Sequence, residues 1–335
     1  MELADLQAYA GKRVCVAVSG GVDSVCLLHC FLRAAESLHI TLSALTCEHG
    51  IRGARSVADC EFVKELCNDW NVPLVVFSAD IPARAKASGR GIEEEGRNFR
   101  YDCFAEVLEN GSADAVATAH HRDDFAETVL FRLARGTSLS GLSAIRERNG
   151  IVRPFLSVSK VQIDEYAKFY GLPFVTDESN LDETYARNAI RLSVMPALDR
   201  AVNGAAAHLT EFALRAAEDD RYLQALAQRE VVREGNVYLI PVDLPGPLFS
   251  RACLYAVKQL GCEKDYTSAN VKEISCLKEL QSGKKACLPR WLCAVREGER
   301  VAVFVPEPTA VAEFPFCEGE FAMNGYSCAV SDCVA

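Results

Sequence analysis

The stretch that most constrains the chain is Ser19-Gly20-Gly21-Val22-Asp23-Ser24. It follows Arg13-Val14-Cys15-Val16-Ala17-Val18, a β-branched apolar run that reads as a buried strand. It precedes Leu27, Leu28, Phe31, Leu32 and Ala35, which recur at helical spacing. The six residues therefore form a strand-to-helix turn. Gly20 and Gly21 admit positive φ and let a ligand approach bare backbone. Amides of the turn and of the first helical turn point one way, toward an anion, and Ser19 and Ser24 add hydroxyl donors. Asp23 would repel a phosphate unless a Mg2+ stood between them. A plain glycine turn with a Ser/Asp helix cap is the bland alternative, and it leaves Asp23 unexplained.

Downstream, strands and helices alternate. Thr41 to Thr46 reads as a second strand and ends in Glu48-His49-Gly50-Ile51-Arg52. Polar residues at a strand's C-terminal end face the ligand crevice of an open α/β sheet, so His49 and Arg52 become nucleotide-contact candidates. A helix is expected from about Val57 to Trp70, a third strand from Pro73 to Phe77, and a helix from Gly91 to Leu108. On that last helix Arg97 and Arg100 share a face. A solvated charged face accounts equally well for Arg97, but less well for Arg100, which stands among Phe99, Tyr101 and Phe104. The fourth strand, Ala115 to Ala119, runs into His120-His121-Arg122-Asp123-Asp124-Phe125-Ala126-Glu127. Asp124 and Glu127 lie three apart and share one face of the next helix; N-capping by Asp123 can coexist with that. A Gly-rich loop from Arg135 to Leu142, a helix from Lys160 to Tyr170, and Arg187 and Arg191 at i,i+4 follow.

The expected fold is α/β, a doubly wound, mostly parallel sheet over residues 1–200. A helical linker (201–234) and a smaller α+β domain (235–335) come after it. The last stretch, from Phe314 to Ala335, alternates without an obvious closing element. No run reaches the ~18 apolar residues of a membrane helix, and the N-terminus has no basic leader, so a soluble, cytoplasmic protein without membrane contact is expected. Cys15, Cys26, Cys30 and Cys103 sit inside apolar runs, as reduced core cysteines do. Among all 15 cysteines no CxxC occurs, which argues against zinc ribbons and iron–sulfur sites.

SGGVDS is similar to the PP-loop of ATP pyrophosphatases, which split ATP between its α- and β-phosphates; no Lys follows the glycines as it would in GxxxxGK[ST]. Taken in order, SGGVDS, EHGIR, GIEEEGRNFRYDCF, AHHRDDFAETVLFRLARGTSLSGL, RPFL and DESNLDETYARNAIR resemble the tRNA(Ile)-lysidine synthetase family over about 200 residues. SGKKACLP and VREGERVAVF resemble the domain that follows there. Glu48 departs from the Asp or Asn expected at its position.

The resemblance implies ATP and Mg2+ as cofactors. It implies a tRNA(Ile) with a CAU anticodon and free L-lysine as partners, and it leaves a homodimer open. ATP would adenylate C2 of the wobble cytidine, and lysine's ε-amine would displace AMP. Ser19, Gly20, Gly21, Val22, Asp23 and Ser24 would then cradle ATP with His49 and Arg52, and Asp23 would hold Mg2+. His120, Asp124 and Glu127 would serve the lysine step, with Asp124 alternatively on Mg2+. Arg100 and either Arg191 or Arg187 would steady the transferring phosphate or the RNA. Lys284 and Lys285 would contact tRNA with Arg187 and Arg191.

A formal net charge of −10 runs against RNA binding, but residues 251–300 carry ten Lys/Arg against six Asp/Glu, a local basic footprint. A PP-loop tRNA thiolase and a small-molecule amide-forming synthetase are the competing readings. The first would be expected to show CxxC pairs in its iron–sulfur form, and the second needs no RNA surface.

Overall fold

The computed structural model describes residues 2–51, 54–142, 150–176, 186–262, 268–306, 319–323 and 326–330. It divides into two compact units, Met1–Arg221 and Tyr222–Ala335.

In the first unit, strands β1 (Arg13–Ala17), β2 (Thr41–Glu48), β3 (Leu74–Ser78), β4 (Ala115–Ala117) and β5 (Ile151–Val152) form one parallel sheet in the order β3-β2-β1-β4-β5. Helices α1 (Val22–Ala35), α2 (Ala54–Asp69), α3 (Ile81–Ser88), α4 (Ile92–Glu109), α5 (Arg122–Ala134), α6 (Leu139–Leu142) and α7 (Lys160–Tyr170) connect and cover it. Helical residues Ala186–Ala201 follow as α8 (Ala186–Ala189), a π turn (Ile190–Val194) and α9 (Met195–Ala201).

β1 shows why the sheet is doubly wound. Side chains alternate across a strand, and Val14 and Val16 pack with α1, α2 and α7 residues such as Phe31, Leu66 and Ile163. Cys15, between them, packs with Phe104 and Val107 of α4. Both faces are buried, as parallel sheets require, which explains an unbroken apolar run rather than an alternating one. Chain order reverses between β1 and β4, so their C-terminal ends open on the crevice where α/β sheets bind ligands.

α10 (Ala205–Arg229) contributes Ala213 and Leu209 to a cluster with Phe125 and Val129 of α5. The second unit holds an antiparallel sheet of β6 (Val232–Glu234), β7 (Val237–Pro241), β8 (Lys285–Cys287), β9 (Cys293–Glu297) and β10 (Arg300–Phe304), ordered β6-β7-β10-β9-β8. α11 (Gly246–Gln259) and α12 (Ser268–Cys276) pack on it through Phe249, Cys253, Val257 and Ile274. A hairpin of β11 (Gly319–Met323) and β12 (Tyr326–Val330) supplies strands where the sequence shows no closing element.

Two bounds shift. β4 ends at Ala117, and β6 takes Val232–Glu234 out of the expected helical linker by pairing with β7. Among the described residues no helix is long and apolar enough to cross a membrane. Cys15, Cys26, Cys30 and Cys103 are buried free thiols, as their apolar neighbours suggest.

Candidate active site

The SGGVDS turn joins β1 to α1. Gly20 has φ +86°, a left-handed conformation that favours glycine, and a Cβ there would stand 3.3 Å from the Phe62 ring. The turn is held from within. The Ser19 amide donates to Ser24 Oγ (3.1 Å), and Ser24 Oγ donates to the Gly21 carbonyl (2.9 Å). Gly21 is the N-cap of α1 and supplies no side-chain cap, so the helix's first amides remain for an anion.

Asp23, in the first turn of α1, does not stand alone. Lys160 Nζ sits 2.6 Å from its Oδ1 and 3.2 Å from Asp164 Oδ1. Burial pushes the Lys160 ammonium down, and the two carboxylates more than offset that, so its pKa is raised and it stays charged. Lys160 opens α7 behind its N-cap Ser159, and its amide donates to Asp123 Oδ2 (2.6 Å), so Asp123 serves the first amide of α7 and is not the cap of α5. The N-cap of α5 is His121, in a reciprocal box: the Asp124 amide donates to His121 Nδ1 (3.3 Å) and the His121 amide to Asp124 Oδ2 (3.2 Å).

His121 is 4 % exposed and stands between two acids, with Nε2 3.3 Å from Asp124 Oδ2 and 4.0 Å from Asp23 Oδ2. The loop after β1 and the start of α5 after β4 thus meet across the β1/β4 crevice. Arg191 closes the cluster. Its Nε and Nη2 donate to the two oxygens of Glu127 (2.8 and 3.0 Å), and Nη2 also reaches Asp124 Oδ1 (2.6 Å). It projects from the π turn, a helix irregularity frequent at functional sites. Burial pushes the Asp124 carboxyl up, but His121, Arg191 and His120 outweigh it and hold the group below its ordinary range.

Of the expected site residues, the fold therefore gathers Ser19 to Ser24, Asp124, Glu127 and Arg191, with His120 close enough to act on Asp124. Arg191 pairs with the two acids expected to receive lysine. Arg100 is exposed, while Phe99 and Phe104 of the same helix are buried. Arg100 acts on His49, whose pKa falls to about 4 through burial first and the Arg100 charge second. His49 Nδ1 is buried with no hydrogen-bond partner among the described residues.

Arg52 and the stretch Asp177 to Tyr185 lie outside the described residues, as does the side chain of Arg187. Lys284 and Lys285 belong to the second unit and are exposed. Sequence reasoning did not find Lys160 or the role of His121.

Over residues 2–198 the chain matches a family described as PP-loop domain. Curated relatives named tRNA(Ile)-lysidine synthase include one from Solibacter usitatus, 43% identical over 211 residues, covering 61% of this chain and 46% of the relative. Another, from Geobacillus kaustophilus, is 32% identical over 306 residues, covering 87% and 66%. The chain thus spans between about half and just under two thirds of these relatives' length. Among solved structures, the U34-tRNA thiolase NcsA of Methanococcus maripaludis aligns with a TM-score of 0.55 at 14% identity, covering 64% of this chain and 76% of that one. At that identity the likeness concerns the fold alone.

Proposed function

Because the chain belongs to the PP-loop domain family, we propose that it adenylates C2 of the wobble cytidine of a tRNA(Ile) with a CAU anticodon and then transfers free L-lysine to that carbon. AMP and pyrophosphate are the products, and the modified base is lysidine. One observation carries the reading: Asp23 of the phosphate-binding turn and Asp124 of the acidic cluster both lie within 4.0 Å of His121 Nε2. A phosphate cradle and a cation-binding pair of acids therefore share one crevice, which is what coupling ATP to an amine nucleophile needs.

The chemistry asks two things of the residues. As pyrophosphate leaves, charge on the α-phosphate needs fixed cations; Lys160, held at Asp23, stands closest to the turn, and Arg100 near His49 is a second. The incoming lysine must lose a proton. With an amine pKa of ~10.4 it is neutral about once in 10³ at pH 7, a deficit of roughly 4–5 kcal/mol. Asp124 and Glu127 would bind the ammonium by charge, and one would take its proton, with His120 beside Asp124. Their present occupant is Arg191, so lysine binding trades a guanidinium for an ammonium and frees Arg191 toward the phosphate or RNA.

Mg2+ fits Asp23. Among the described residues no three His, Cys, Asp or Glu side chains could hold a metal by themselves. A Mg2+ ion takes only one or two carboxylates when phosphate oxygens and water complete its shell. Asp23, alone or with Asp124, would hold it, and it would neutralise phosphate charge. Lys284 and Lys285 on the second unit would supply salt-sensitive contacts to tRNA phosphates.

The test is incorporation of labelled lysine into CAU-anticodon tRNA(Ile), alongside pyrophosphate release from ATP. Release that requires the tRNA, accompanied by lysine incorporation, supports the reading. Release that responds to a sulfur donor instead, or to a small carboxylic acid without tRNA, would overturn it. Asp124→Asn separates the roles of that acid: accumulation of adenylated tRNA assigns it to lysine, and loss of adenylation assigns it to the metal.

A further inference from the structure

Two thiols of the second unit face each other across β8 and β9. Cys287 pairs with Cys293 in the antiparallel register. The hydrogen bonds on either side show which kind of pair this is. The Leu288 amide donates to the Leu292 carbonyl (2.8 Å), and the Arg296 amide to the Lys284 carbonyl (2.9 Å). Hydrogen-bonded and non-hydrogen-bonded pairs alternate along an antiparallel ladder. Pairs 288/292 and 284/296 are hydrogen-bonded, so 286/294 is too, and 287/293 is not. Non-hydrogen-bonded partners have Cα atoms about 4.5 Å apart with side chains drawn together, inside the range of about 4.4–6.8 Å that a disulfide spans.

The thiols are close enough that Cys287 adds to burial in raising the Cys293 pKa. Cys287 is exposed and Cys293 half-buried, so a reagent in solution reaches the first and the second lies behind it. Cys47 and Cys103 in the first unit also act on each other, but Cys103 is buried and Cys47 half-buried, so that pair has no exposed member like Cys287.

We propose that Cys287 and Cys293 form a reversible thiol–disulfide site that accepts oxidising equivalents from low-molecular-weight disulfides. The Cys287 thiolate attacks one sulfur of the external disulfide and expels one thiolate, leaving a mixed disulfide. Cys293 then attacks the Cys287 sulfur and expels the second thiolate. Two thiols and one external disulfide become one cross-strand disulfide and two small thiols, with two electrons passing from protein to reagent and each expelled thiolate taking up one of the protons released. Burial raises the Cys293 thiol, which suits a resolving rather than an attacking role. An exposed disulfide of this kind is of the labile class that cellular reductants reopen. Lys285 lies two residues from Cys287 on the same exposed face, so the redox state is carried on the surface that presents this lysine. The inference does not depend on the proposed reaction.

The experiment treats the full chain with glutathione disulfide, blocks remaining thiols, digests with trypsin and reads the products by mass. Cleavage after Lys285, Arg290 and Arg296 puts the two cysteines on separate peptides, 286–290 and 291–296. The expected product is these two peptides joined, lighter by two hydrogens than their sum, and reopened by dithiothreitol. Cys287→Ser should abolish the cross-link and leave Cys293 nearly unmodified, whereas Cys293→Ser should trap glutathione on Cys287. Both are near-isosteric changes at accessible positions. Glutathione remaining on Cys287 of the unaltered protein without a cross-link would overturn the proposal, as would either cysteine pairing chiefly with Cys276.

Discussion

Replacing Arg191 by methionine removes the cation that two acids share. Glu127 is 4 % exposed and accepts two of the guanidinium's hydrogen bonds, so the substitution takes both from a buried carboxylate beside Asp124. Breaking a buried pair from one side costs about 3–5 kcal/mol. The Arg191 side chain is itself 35 % exposed, and the resulting solvent screening lowers the figure to about 2–3 kcal/mol. For a unit of this size that corresponds to a fall in Tm of roughly 4–12 °C. Thermal unfolding of the ligand-free protein at neutral pH measures it, followed at the transition of the first unit. The charge argument makes a second demand. Glu127→Gln added to Arg191→Met removes that carboxylate's charge and keeps its shape, so the double variant should recover at least half of the loss. An Arg191→Met protein as stable as the parent, or a double variant no better than the single one, would refute the reasoning.

Lys160→Met should cut tRNA-dependent pyrophosphate release about a hundredfold, the scale of one lost electrostatic contact in a transition state, while Lys160→Arg keeps most of it; an unchanged rate for Lys160→Met would reduce the residue to a scaffold role. In an NMR titration His49 should change protonation near pH 4, and Arg100→Ala should move the midpoint upward by removing the nearby positive charge. The folded protein refuses a proton that unfolded His49 takes at about pH 6.5. His49's stability contribution is therefore full above that pH and lost as pH falls from it toward about 4, and His49→Gln should flatten this part of the stability–pH curve. Asp124 acts in a lower window. Its folded pKa is depressed, so its contribution is present above an unfolded value of ~3.9 and lost as pH falls through the lower folded one; Asp124→Asn should remove that acid limb from urea unfolding. Lys284→Ala with Lys285→Ala should weaken tRNA binding and make the slope of log affinity against log salt shallower by about 1–2, with ATP affinity unchanged; an unaltered slope would place the footprint elsewhere.

Much of the first unit is legible in the chain because its strands are buried on both faces and announce themselves as apolar runs, β1 and β4 above all. α7 is legible at both ends, since Ser159 caps its start and Gly171 takes a left-handed conformation just past its finish. α3 escaped, although Asp80 as N-cap, Pro82 in the first turn and Gly89 after the end are all visible in the sequence. The acidic stretch after β4 was legible as chemistry but not as geometry. Two adjacent histidines differ by one residue, and only the turn into α5 decides that His121 goes inward. Lys160 was invisible for a deeper reason. A lysine just after a serine cap looks like any solvated helix start, and its partner Asp23 is 137 residues away. Local periodicity carries no information about such a pair. Arg191 shows the same limit, because its spacing from Arg187 gives the helix face but not the acids on α5 that claim it.

His121 ties two parts of the crevice into one mechanical unit. Its Nδ1 accepts the Asp124 amide hydrogen and so starts α5. On the other edge of the same ring, Nε2 stands 3.3 Å from Asp124 Oδ2 and 4.0 Å from Asp23 Oδ2. One buried imidazole therefore sets both where a helix begins and how far apart the two acids stand. The phosphate turn and the acidic cluster cannot shift independently, because a displacement of either is felt at the other through this ring.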